Sequence, residues 1–136
     1  MKKTVNIGIA ILFFISMALY SFNMVEVADD WNVPDNYKNM KNPTEASKQN
    51  LAIAKSLWAK HCQSCHGREG LGDGPKAAEL EADAGDFSSD EFQAHTDGEL
   101  FYMTTTGKDE MPAYDKKIPN DEDRWMLVHY MRTLAE

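Results

Sequence analysis

The chemistry in this chain gathers in one short stretch, Lys60-His61-Cys62-Gln63-Ser64-Cys65-His66-Gly67, which holds both cysteines of the 136 residues. Two thiols three positions apart, with an imidazole directly after the second, form the attachment signature of a c-type haem. Cys62 and Cys65 can add to the two vinyl groups on one side of a porphyrin, and His66 then lies under the iron as an axial ligand. The rival chemistries each lack a part. A structural zinc site needs four ligands, and the chain offers only His61, His95 and His129 besides the motif. A thioredoxin-like dithiol needs a βαβ setting that the pattern does not supply. A plain disulfide leaves His66 and the following GREGLGDGP stretch unexplained. That stretch also lacks the Gly-Lys-Ser/Thr ending of a phosphate cradle.

The elements that must position these residues read as helices and loops. Leu51, Ala54, Leu57, Trp58 and His61 recur at intervals of three and four, one face of a helix from Thr44 or Ser47 to about His61. The motif therefore begins where that helix ends. The glycines and Pro75 of GREGLGDGP forbid regular structure and let the backbone approach another group closely. Thr96 and Glu99 form a capping box for a short helix carrying Leu100, Phe101 and Met103, which stops at Gly107. Asn120 caps a last helix, with Asp121, Glu122 and Asp123 in its positive first turn and Arg132 near its negative end. Trp125, Leu127, Val128, Met131 and Leu134 are its apolar positions, and Met103, Met126 and Met131 are expected in the core. No stretch alternates as a strand does and no repeat is visible, so the predicted class is all-α.

Ahead of this domain, Val5 to Val25 is free of charge, preceded by Lys2 and Lys3 and followed by Glu26, Asp29 and Asp30. Such a run is an export signal or a membrane anchor, and its length favours an uncleaved single-pass helix in the cytoplasmic membrane with everything after it outside. Cleavage after Ser16-Met17-Ala18 is the alternative, giving a soluble periplasmic protein. The predicted organisation is 1–25 signal anchor, 26–46 flexible tether and 47–136 haem domain. All 22 acidic residues follow Val25, against 12 of the 14 basic ones, a net charge of −10 that repels nucleic acid. Ten of those acids lie between Glu69 and Glu99 with one basic residue, Lys76, among them. Lys108, Lys116 and Lys117 are candidate local contacts for a partner within the acidic whole.

From about Ser47 to Leu134 the chain resembles a class I, single-haem cytochrome c of the membrane-anchored bacterial kind. The resemblance rests on LAIAKSLWAKH, CQSCHG, GLGDGP, the MPAY loop and DRWMLVHYMRTL. It implies a small fold of helices wrapped around one covalent haem c, whose first and last helices cross beside it. Ala54 and Trp58 are similar to the first-helix crossing positions, and Trp125 and Tyr130 to the last. It further implies Met111 as the second axial ligand. This residue stands 45 positions after His66 in a loop, followed by Pro112, which restricts it to extended geometry. The implied cofactor-binding set is Cys62, Cys65, His66, Met111 and Pro75, with His66 and Met111 on the iron. The Pro75 carbonyl is expected to accept the free N–H of His66. His61, His95 and His129 remain alternatives to Met111, and Tyr102 or Tyr114 is a candidate for a propionate.

Iron held on both faces by protein has no open position for a substrate. The expected function is then one-electron carriage in a membrane-associated respiratory chain, with a quinol-oxidising complex or terminal oxidase as partner, no small-molecule substrate and no enzymatic activity. A haem-based ligand sensor or small haem enzyme is the alternative, and it requires an open sixth position.

Overall fold

The computed structural model describes residues 31–135, so the expected anchor and residues 26–30 lie outside the described residues. Among the described residues no helix is long and apolar enough to cross a membrane. The described residues form six helices: α1 Asp35–Lys38, α2 Lys48–His61, α3 Gln63–His66, α4 Asp90–Ala94, α5 Asp97–Thr106 and α6 Asp121–Thr133, with a 3₁₀ turn at Ala77–Glu79. The described residues hold no strand, and one isolated antiparallel bridge joins Lys108 and Met111. The fold is all-α, as the periodicity predicts.

The helix ends form for local reasons. Ser47 caps α2 by accepting the Asn50 N–H, Thr96 and Glu99 complete the reciprocal box on α5, and Asn120 accepts the Glu122 N–H of α6. Each such cap contributes about 1 kcal/mol by satisfying amides that no turn can reach. α4 was not expected; Ser89 caps it by accepting the Phe92 N–H, a signal hidden in a short polar run.

α2 and α6 form the principal helix pairing. Ala54, Trp58, Leu127 and Val128 are all essentially excluded from solvent at the crossing, and each large side chain among them contributes about 1.5–3 kcal/mol by burial. The Trp58 ring lies 5.6 Å from that of Tyr130, as the resemblance implies. Trp125 stacks on Phe101 of α5 with centroids 4.0 Å apart and planes 7° from parallel. α6 thus presents one face to α2 and another to α5. Met103 and Met131 are core residues, whereas Met126 is only half-buried, since the apolar faces of α6 leave it at their margin.

The tether expected over 26–46 is corrected from Trp31 onward, where the chain is a strap folded onto the domain. Val33 is buried in the core, Tyr37 packs its ring 4.8 Å from Tyr102, Asn42 Nδ2 donates to the Trp125 carbonyl at 2.9 Å, and His129 Nε2 donates to the Thr44 carbonyl at 2.9 Å. Three apolar residues spread through a polar run carry no period, yet each finds its own pocket, so composition alone reads the strap as solvated.

Candidate haem site

α2 delivers the motif directly. The Cys62 N–H closes the last turn on the Trp58 carbonyl at 2.9 Å, and the His66 N–H bonds the Cys62 carbonyl at 3.0 Å, which winds Gln63–His66 into the single turn α3. The chain then doubles back, so that the Gly74 N–H reaches the Cys65 carbonyl at 3.1 Å and the Lys76 N–H the Ser64 carbonyl at 2.8 Å. A Cβ on Gly74 would stand 2.5 Å from the Ser64 oxygen, so only glycine permits this approach. Trp58 donates its indole N–H to the Gly67 carbonyl at 3.0 Å and fixes the start of that return.

Beneath the motif lies a cavity of about 610 Å³ lined by Cys62, Cys65, His66 and Met111, with Phe87 and Leu100 among its apolar walls. Its size falls within the roughly 300–1,000 Å³ of cofactor pockets. His66 Nδ1 sits 2.6 Å from the Ala84 carbonyl oxygen. A carbonyl can only accept, so Nδ1 carries the proton and Nε2 keeps its lone pair for a metal. Burial lowers the His66 pKa, against the opposing Ala84 bond, and so favours the neutral imidazole that ligation needs. The Pro75 carbonyl is therefore not the His66 partner: Pro75 is exposed, and residues 80–85 fold across to supply Ala84 in its place.

Burial, and then the neighbouring Cys65, push the Cys62 thiol up to about 12. Among the described residues no strand flanks the motif, so the βαβ setting of a thioredoxin-like dithiol is not found there. Among the described residues no group of three or more His, Cys, Asp or Glu is placed to hold a metal ion.

Met111 is held by a tight turn. Lys108 N–H bonds the Met111 carbonyl at 2.9 Å and Met111 N–H the Lys108 carbonyl at 2.8 Å. Gly107, at φ +62°, opens the turn where α5 ends. Glu110 Oε2 accepts the backbone N–H groups of Glu81 at 2.7 Å and Ala82 at 3.2 Å. One carboxylate thus joins the Met111 turn to the loop that supplies Ala84. Below the turn, buried Arg124 donates to the Ile118 carbonyl, to Asp121 and to Thr105 Oγ1 at 3.1 Å, tying the loop's return to α5. Ala84, Glu110 and Arg124 escape sequence reasoning, the first two because they act across loops and the last because a buried charge breaks the hydropathy pattern.

Of the alternative ligands, His61 and His95 also line the cavity, and His129 does not. His95 stands 3.8 Å from the Glu99 carboxylate and edge-on to Phe92. Tyr114 spends its hydroxyl on the His61 carbonyl at 2.6 Å.

Residues 49–131 match the family of cytochrome c oxidase, cbb3-type, subunit III. The chain belongs to that family. It is a c-type cytochrome, and its cofactor is a covalent haem c with its iron. The cytochrome is also similar to a chain of the reducing HAO-like protein complex of Kuenenia stuttgartiensis, at 28% identity and a TM-score of 0.63, over 71% of this chain and 50% of that one. It spans about half the length of that solved chain. Among curated proteins none matches. The domain supports haem-based electron transfer, and the two thiols, imidazole and thioether around one cavity are a donor set that fits the group.

Proposed function

We propose that this cytochrome is a one-electron carrier in which Cys62 and Cys65 hold the haem covalently and His66 and Met111 are its axial ligands. The observation that carries the proposal is the shared cavity, on whose wall all four residues stand. When bound, the haem supplies reversible gain and loss of one electron. His66 supplies a neutral Nε2, oriented through the Nδ1 proton on Ala84. Met111 supplies a soft sulfur that favours the reduced iron, and the apolar walls exclude water. With both faces occupied by protein, no substrate position remains and the protein is not an enzyme.

In this reading the cytochrome works on the outer face of the cytoplasmic membrane, held by the charge-free Val5–Val25 segment. It passes electrons between a quinol-oxidising complex and a terminal oxidase. Both similarities are to constituents of larger assemblies, an oxidase subunit and a protein complex, which supports a relay within a complex over a freely diffusing one.

The test uses the full chain produced in a host that attaches haem c, with the reduced spectrum recorded before and after carbon monoxide. The expected wild type is covalently haemylated and unresponsive, and Met111→Ala responds. If Met111→Ala stays closed while His95→Ala or His61→Ala opens, the sixth ligand is that histidine. A wild type that binds at once has an open iron and is a ligand binder.

A further inference from the structure

The strap brings one aromatic residue to the haem cavity from outside the span that matches the family, residues 49–131. Trp31 is half-buried, packs against the core and lines the same cavity as Cys62, Cys65, His66 and Met111. The Nζ of Lys108 lies over its ring, 5.8 Å from the centroid, and Lys108 is the residue whose backbone closes the turn on Met111. The strap is fastened independently of that contact. Val33 is 5% exposed in the core, Tyr37 packs its ring tilted against Tyr102 of α5, and the Asn42 side chain and Thr44 carbonyl bond α6. The strap that carries Trp31 is thus anchored on α5 and α6 as well as touching the loop of Lys108.

We propose that Trp31 is a positioning residue for the sixth ligand: its indole walls the cavity beside the Lys108–Met111 turn, excludes water there and holds that turn closed. The idea rests on the reading of Met111 as ligand. Its chemistry is twofold. An apolar ring in the wall lowers the local polarity, which disfavours the more highly charged oxidised haem and so raises the reduction potential. A cation seated over that ring restrains the turn, which lowers the fraction of molecules whose Met111 has left its place.

The experiment compares haem-bound full-length protein as wild type, Trp31→Ala, Trp31→Leu and Leu127→Val. Leu127 is fully buried and does not line the cavity, so its variant reports a loss of stability alone. Potential, thermal midpoint and carbon monoxide affinity of the reduced protein are read for each. Trp31→Ala is expected to lower the potential and to raise apparent carbon monoxide affinity by about tenfold, in proportion to the open fraction. Trp31→Leu, which keeps apolar bulk without a ring, is expected to retain most of the potential and to lose the restraint on the turn. Leu127→Val should lower the midpoint and change neither redox nor binding behaviour. Trp31 variants that match Leu127→Val in potential and affinity overturn the proposal. If Trp31→Ala does not accumulate, Trp31→Leu decides by its affinity alone. A wild type that already binds carbon monoxide freely sinks the Met111 reading instead, and the potential of Trp31→Ala still tests the wall.

Discussion

Gly107→Ala separates backbone strain from collision at the turn that carries Met111. Gly107 sits at φ 62° and ψ 174°, a region essentially closed to residues with a side chain, at a cost of about 1–3 kcal/mol. A Cβ there would also stand 2.5 Å from the Ala113 nitrogen and from the Pro112 carbonyl carbon, and closer still to the Met111 oxygen. All three are backbone atoms, so relief requires the ligand loop to move. Gly85 provides the control: it has φ 77°, and a Cβ added to it meets nothing within 4 Å. Gly85→Ala should cost strain alone, about 1–2 kcal/mol, whereas Gly107→Ala should cost about 3–5 kcal/mol. At about 4–8 °C per kcal/mol for a domain of this size, the midpoints should differ by roughly 10–20 °C. Thermal unfolding of the two haem-bound variants, followed by circular dichroism, measures the gap. Carbon monoxide binding should appear in Gly107→Ala and not in Gly85→Ala. Equal midpoints, or a Gly107→Ala protein closed to carbon monoxide, would refute the claim that backbone crowding positions Met111.

Glu110→Ala frees two backbone amides that are partly solvated, so denaturant titration should show a loss of only about 1 kcal/mol, with Glu110→Gln restoring part of it. A larger carbon monoxide response in Glu110→Ala than in Glu110→Gln should accompany it, and identical responses would mean the carboxylate does not hold the loop. Arg124→Met should cost about 2–3 kcal/mol in the same titration, because the Ile118 carbonyl loses its buried donor; a neutral result would mean Ile118 finds another partner. Tyr114 has its phenol pushed up to about 12, by burial first and then by the two cysteine sulfurs. The folded state holds that proton more tightly than the unfolded one, so its contribution is complete below about pH 10 and is lost as pH rises toward 12. Thioether formation removes the charge on the sulfurs but not the burial. Tyr114→Phe should therefore flatten the alkaline limb of the stability curve, and an unchanged limb between those pH values would count against it.

The parts of this protein that sequence reveals are those whose physics is local. C-x-x-C-H is legible because covalent attachment fixes residue types and spacing within five positions. The caps at Ser47, Thr96 and Asn120 are legible because an orphan amide is satisfied two or three residues away. The supports of the site are less local, and there the reading fails in a consistent direction. The proton on His66 needs only some carbonyl oxygen, and nothing in the polymer chemistry favours Pro75 over Ala84; loop packing chooses, through Glu110 fastening residues 81 and 82. Arg124 satisfies three partners from a buried position, which hydropathy reads as surface. Trp31, Val33 and Tyr37 carry no period because each docks on a different element. The walls of the cavity draw on residues far apart in sequence, from Trp31 to Met131. The family span 49–131 therefore holds the chemistry, while the residues that hold it shut include a strap lying ahead of it.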